Sequence, residues 1–282
     1  MFEFPEFIYI PLDKWIDAFV NWLTIAGEDI FDTIGKILLA PMVQLEKFLL
    51  FVPWFVIILF VAFLAWRAKG WKMAGMVVAG LFFIGALGLW EASMKTLAIV
   101  LFATILAIIL GVPIGIIMAQ SNKAKRIMQP LLDMMQTMPS FVYLIPALML
   151  FGLGKVPALI SVLIYAIPPA IRLTDLGIRQ VPEDVVEAAR AFGSTSRQLL
   201  FKVQIPLAMP TIMAGVNQTI MMALAMVVVA SMIGAGGLGS EVLNGIARLE
   251  VGRGFNGGIS IVIMAIIMDR LTQSLAKSPE KG

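Results

Sequence analysis

Seven runs of this sequence are too apolar to be dissolved in water: residues 49–66, 74–90, 96–120, 141–153, 156–171, 210–233 and 257–268. Crossing the hydrocarbon core of a bilayer takes roughly 20 residues of helix. The fourth and fifth runs are shorter and are parted only by Gly154-Lys155. Residues 127–139, largely apolar with Asp133 and Gln136 on them, extend the fourth. Of the 282 residues, 60% are hydrophobic and 14% charged, whereas a soluble domain has about 45–50% apolar and about 25% charged residues. One core cannot hide that excess, so lipid is the solvent. The expected architecture is an all-α membrane protein with about seven transmembrane helices.

Basic residues orient the set. Arg67, Lys69 and Lys72 follow the first run, and Lys123, Lys125 and Arg126 the third. Arg172, Arg179, Arg190, Arg197 and Lys202 follow the fifth, and Arg270, Lys277 and Lys281 the seventh. The alternate loops hold only Lys95, Lys155, Arg248 and Arg253. Positive charge marks the cytoplasmic side. This places the N-terminus outside and the C-terminus inside, in a bacterial plasma membrane.

Residues 1–48 carry eight Asp or Glu against three Lys. The asymmetry reads as topology, not as a nucleic-acid patch. The start, Met1-Phe2-Glu3-Phe4-Pro5-Glu6, lacks a basic segment, so no cleaved signal peptide is expected. Trp15, Ile16, Phe19, Val20 and Trp22-Leu23 recur near helical spacing, and Ile30-Phe31, Ile34 and Ile37 to Leu39 repeat the pattern. They predict amphipathic helices in the outer interface; the alternative is packing on the spans. Residues 49–90 then form two accessory spans, 91–275 the main body, and 276–282 a tail.

The chain has no Cys and no His. It therefore has no disulfide framework and lacks the commonest general base and metal ligand. No catalytic residue, metal ligand or cofactor site is expected on it. The nineteen Met residues suit adaptable packing.

The polar stretch 172–209 is long for a membrane protein loop. Pro182 can open a helix, and Glu183 and Asp184 suit its positive end. Gly193 is a natural left-handed stop, after which Ser194, Thr195 or Ser196 can cap a second helix. Pro206 forbids simple continuation, and Pro210 marks entry to the sixth run. The prediction is a helix–glycine–helix elbow. Small Ala188 and Ala189 admit a partner surface, while Glu187, Arg190 and Arg197 fix its orientation.

The run Glu187-Ala188-Ala189, Gly193, Val203, Ile205-Pro206 resembles the EAA loop of binding-protein-dependent ABC transporter permeases. The family pattern ends in Ile-x-Leu-Pro, so Val203 and Ile205 are conservative departures. The resemblance covers roughly residues 90 to 275. It implies the type I ABC importer permease fold, with the elbow docking in a cleft of a cytoplasmic ATPase through Glu187, Ala188, Ala189 and Gly193. Pro139 to Pro146, Ile233 to Gly239, and Asp269-Arg270 resemble more specifically the glycine betaine/proline betaine permeases of the OpuA and ProW class. No Gly-x-x-x-x-Gly-Lys-Ser/Thr phosphate loop is present. ATP would therefore bind a partner, two ATPase copies serving two permease copies, with an extracellular or periplasmic substrate-binding protein above them.

The centres of the runs hold almost no fixed charge, which argues against a proton-coupled carrier or cation channel and fits a zwitterionic solute. Asp133 and Asp269 are the nearest exceptions; Asp269 is expected to pair locally beside Arg270. Aromatic faces hold quaternary ammonium groups. Phe141 and Tyr143, between prolines, together with Tyr165 beside Pro168-Pro169 and the polar Asn217, Gln218 and Thr219, are candidates to line a route. Plain aromatic packing and interhelical hydrogen bonding are the alternative for each. Gly234, Gly236, Gly237 and Gly239 are expected to terminate a helix, with a gate hinge as the other reading. The functional expectation is the membrane subunit of an ATP-driven importer of glycine betaine or a related amine. The alternatives are a permease for choline, carnitine or methionine, or a stand-alone secondary carrier or channel.

Overall fold

The computed structural model describes residues 11–276. The acidic start at 1–10 and the tail with Lys277 and Lys281 lie outside the described residues. Among those described, the chain is helical and has no strand. Four stretches are long and apolar enough to cross a membrane: Trp90–Gln120, Lys155–Arg179, Ser196–Ile233 and Val251–Ser274. Two bent pairs raise the number to at most six, and one shorter apolar helix, Trp71–Ala86, stands beside them.

The bends revise the expected boundaries. Helix α1 (Leu12–Ala26) and helix α2 (Glu28–Phe51) form the amphipathic segment, but α2 absorbs the first residues of the first predicted span. Val52-Pro53 then turns the chain by 100° into α3 (Trp54–Lys69). Proline lacks the N–H that would continue α2. Trp15, Phe19 and Trp22 of α1 are exposed. The end of α2 instead packs on the body through buried Met42 and Glu46. Gly70, at φ 84°, reverses the chain into α4 (Trp71–Ala86), whose 16 residues rise only about 24 Å.

Helix α5 (Trp90–Gln120) is straightforwardly long. Ser121 caps α6 (Asn122–Thr137) by accepting from the Ala124 N–H at 3.3 Å. The predicted span at 141–153 is not an independent crossing. Pro139 ends α6, a 3-10 turn covers Ser140–Tyr143, and only the eight residues of α7 (Leu144–Phe151) remain, bent 111° from α6. Helix α8 (Lys155–Arg179) runs through Pro168-Pro169 and eight residues beyond the predicted end of its span. After the elbow come α11 (Ile205–Ala230), α12 (Leu238–Ala247) and α13 (Val251–Ala276).

The centre of the molecule is α5, α8 and α11, with α13 on the flank and the α3–α4 hairpin against α13. Lipid gives apolar side chains little reason to leave it, so membrane helices associate where small residues let backbones approach. Gly111 and Gly115 of α5 face Ala170, Ile171 and Thr174 of α8; a Cβ on Gly115 would stand 2.6 Å from the Ile171 carbonyl. Gly177 of α8 meets Ala208 and Thr211 of α11, and Gly215 of α11 meets Leu173 and the Pro169 carbonyl.

At the far end from the elbow, glycines again set the contacts. The Gly154 N–H donates to the Ile233 carbonyl at 2.8 Å, and Gly234, at φ 101°, lies against the Gly154 backbone. The Leu238 N–H donates to Thr96 Oγ1 at 2.8 Å. Lys155 Nζ meets the buried Glu46 carboxylate at 2.6 Å, tying α2 to the start of α8. The predicted termination at Gly234 holds; the same glycines also make the crossing.

Gly115→Val will drive a branched side chain into Ile171 and Thr174 and cost about 1–3 kcal/mol or more of stability. Gly75→Ala, on a helix face with nothing within 4 Å, will be neutral or slightly stabilising. Thermal unfolding of the purified proteins in one detergent checks the pair.

Candidate functional site

Helix α9 (Glu183–Ala191) is the first limb of the elbow. Pro182 precedes it with φ −54°, and Glu183 and Asp184 occupy its first turn. At its end, the Gly193 N–H donates to the Arg190 carbonyl at 2.9 Å and the Ser194 N–H to the Ala189 carbonyl at 3.1 Å. This is the paired Schellman closure, and it needs the left-handed residue that Gly193 supplies at φ 81°. Thr195 then opens α10 (Ser196–Leu199) with a reciprocal capping box: Thr195 Oγ1 accepts from the Gln198 N–H, and Gln198 Oε1 accepts from the Thr195 N–H at 2.9 Å. Both limbs match the elbow expected from the sequence.

The exit differs from expectation. A π-helical stretch, Leu200–Gln204, leads from α10 into α11, so Ser196–Ile233 is one helical body despite Pro206 and Pro210. Widening the turn changes which carbonyl faces each N–H position, and the missing proline donor falls where the ladder is already shifted. The second limb is therefore the end of a core helix.

Glu187, Ala188, Arg190, Gly193 and Arg197 are exposed, and Ala189 is half-buried. Arg190 and Arg197, from the two limbs, line one groove of about 670 Å³ with Gln120, Ile178, Leu199 and Gln204. Phe192, at the tip, is 92% exposed. No packing reason holds a phenyl ring there. In the sequence the one sign of it is its position directly before the Gly193 stop.

A second cluster lies at the root of the elbow. The Asp175 carboxylate, 5% exposed, is reached by Lys125 Nζ at 3.0 Å and Arg179 Nε at 2.7 Å. Arg179 also donates to Asn122 Oδ1 at 2.8 Å and to the Met118 carbonyl at 2.6 Å. From the sequence alone, Lys125 and Arg179 read only as topological charges. The i, i+4 spacing of Asp175 and Arg179 was the visible hint.

The six candidate route residues do not form one lining. Phe141 is 55% exposed and Gln218 is exposed. Tyr143 is buried, its hydroxyl donates to the Met135 carbonyl, and its ring packs edge-on against Tyr165 at 5.8 Å. Thr219 is fully buried. Asn217 Nδ2 donates to Asp269 Oδ1 at 2.8 Å, and Gln273 donates to the same carboxylate. Asp269 thus draws on the neighbouring helix and the next turn, not on Arg270. Asp133 pairs with Arg172, joining α6 to α8.

The comparisons agree with this geometry. The family described as "Binding-protein-dependent transport system inner membrane component" matches residues 111–280. The chain is 50% identical over 268 residues to the glycine betaine/proline betaine transport system permease protein ProW of Escherichia coli K12, covering 95% of this chain and 76% of that one. It is 48% identical to the glycine betaine transport system permease protein OpuAB of Bacillus subtilis 168, covering 97% of each. It is also 48% identical to the glycine betaine/carnitine transport permease protein GbuB of Listeria monocytogenes, covering 97% and 98%. Among solved structures, the inward-facing MetNI methionine ABC transporter superposes with a TM-score of 0.60 at 18% identity, over 67% of this chain and 94% of that one; that likeness speaks to the fold. The protein is thus a helical membrane permease, and it belongs to the family of inner membrane components of binding-protein-dependent ABC transport systems.

Asn217→Ala will remove one of the two side-chain donors to the Asp269 carboxylate inside the α11–α13 contact. The carboxylate is half-buried and keeps its bonds from Gln273, so the loss is that of one hydrogen bond, about 0.5–1.5 kcal/mol, and thermal unfolding of the purified permease will shift down slightly. An unchanged transition would mean that the strut carries no stability.

Proposed function

We propose that this chain is the membrane subunit of an ATP-driven importer of glycine betaine or a closely related quaternary amine. The observation that carries the reading is near 50% identity, over almost the whole chain, to three permeases whose names state betaine transport. The GbuB name also includes carnitine, and this makes carnitine the second substrate to test.

In this reading the elbow docks on a cytoplasmic ATPase, and the chain itself performs no bond chemistry. Glu187, Ala188 and Ala189 present the docking surface, Gly193 sets the elbow angle, and Arg190 and Arg197 orient it. Phe192 adds an apolar knob. Two permease copies enclose the path, each holding one ATPase, and a separate binding protein delivers the solute. The excess of Lys and Arg on the elbow side supports a cytoplasmic placement there, with the N-terminus outside. ATP binding closes the ATPase pair, draws the elbows together and turns the path outward.

The exposed Phe141 and Gln218 are the two route candidates free to meet solute. A phenyl face attracts a quaternary ammonium group, and Phe141 lies at the α6–α7 bend, where irregular backbone at membrane depth has to border protein or a cavity. Tyr143, Tyr165, Asn217 and Thr219 would support the wall from behind.

Vesicles with the permease, its ATPase and the binding protein will accumulate labelled glycine betaine only with ATP, and excess carnitine in a second arm will show whether it competes. Accumulation that persists after the ATPase is left out would point to the carrier reading instead.

A further inference from the structure

The elbow has two roots. One is continuous: α10 runs through the π turn into α11. The other is a break, because Gln180 to Pro182 separates α8 from α9. A push on α9 can spread through that break, fraying the last turn of α8 instead of moving the core. What stiffens this root is the Asp175 cluster.

Asp175 lies in the last two turns of α8, buried, with two cations on its carboxylate. Arg179, one turn on, bonds three helices at once. It takes Asp175 on α8, Asn122 at the start of α6, and the Met118 carbonyl in the last turn of α5. That carbonyl also accepts a longer bond from the Ser121 N–H at 3.4 Å. Lys125 adds a second bridge from α6 to the same carboxylate. The cluster thus closes the α5–α6 corner onto the end of α8 just before the elbow begins. Charge-assisted bonds of fixed fork geometry resist bending better than apolar contact does, and opening such a cluster leaves a buried charge unpaired.

We propose that Asp175 is a positioning residue for energy coupling: it makes the α5–α6 corner, the end of α8 and the elbow move as one body, so that displacement of the elbow reaches the core helices. This rests on the coupling reading of the elbow. Asp175 touches neither ATPase nor solute; it acts through Arg179 and Lys125.

The chain has no cysteine, so a spin-label pair at Lys123→Cys and Asp184→Cys reports the corner-to-elbow distance alone. The labelled permease, diluted with unlabelled copies and assembled with ATPase and binding protein in lipid nanodiscs, is measured without nucleotide and with ATP plus vanadate. The expected result is one narrow distance, the same in both states. Adding Asp175→Asn will broaden or shift it in the trapped state and raise the ATP hydrolysed per betaine imported several-fold. A purely structural role would lower folded yield without changing that ratio. The inference is overturned if the parent distance itself shifts on trapping, or if Asp175→Asn leaves distance and ratio unchanged. Should Asp175→Asn not reach the membrane, Lys125→Gln carries the same test at the half-buried second bridge, with a smaller rise expected and no change overturning the inference. A Gly193→Trp arm separates the two levels. If it leaves the ATP ratio unchanged, the coupling reading fails; if it uncouples while Asp175→Asn does nothing, only the joint fails.

Discussion

Backbone contact among α5, α8 and α11 is the constraint on which the rest depends. In lipid, apolar side chains gain little by leaving their solvent, so helix association has to come from close packing and interhelical bonds. Gly111, Gly115, Gly177 and Gly215 supply the approach; a Cβ at any of them would stand about 3 Å or less from a neighbouring helix. Bodies packed this closely shift between discrete arrangements instead of deforming smoothly. A device attached to the trio therefore moves helices, not side chains.

The elbow is such an attachment. One limb is the end of α11 itself, and the other leaves α8 beside the Asp175 cluster. At the opposite end of the same helices, Gly154 and Gly234 cross and Leu238 is bonded to Thr96. Both ends of the central helices are thus fastened to neighbours. The Asn217–Asp269 bond fastens α11 to α13 between them.

The sequence made the elbow legible because its signals are local. Pro182, Gly193 and Thr195 each act on backbone within a few residues, and the closure and capping box appear where those residues sit. The all-helical membrane class was equally legible, since hydropathy is additive along the chain. Bends were not: a window counting apolar residues at 141–153 does not register that Pro139 turns the chain by 111°. Pro206 misled in the other direction, because a π turn absorbs a proline that an α-helix would not. Pairs far apart in sequence, such as Glu46 with Lys155, 109 residues on, cannot be found from one chain. Asn217 is the instructive case at the candidate route. A polar residue inside a span reads as a solute contact, yet its amide is engaged by Asp269.

The proposal that an ATPase joins this permease at the exposed elbow can be tested directly. Because the chain lacks cysteine, single cysteines at Ala188 and Phe192 on the elbow, and at Val251 near the other end, can be crosslinked to the ATPase in assembled complexes. Adducts that respond to ATP are expected at 188 and 192, and none at 251. Adducts at 251, or none at the elbow in complexes that still import betaine, would contradict it.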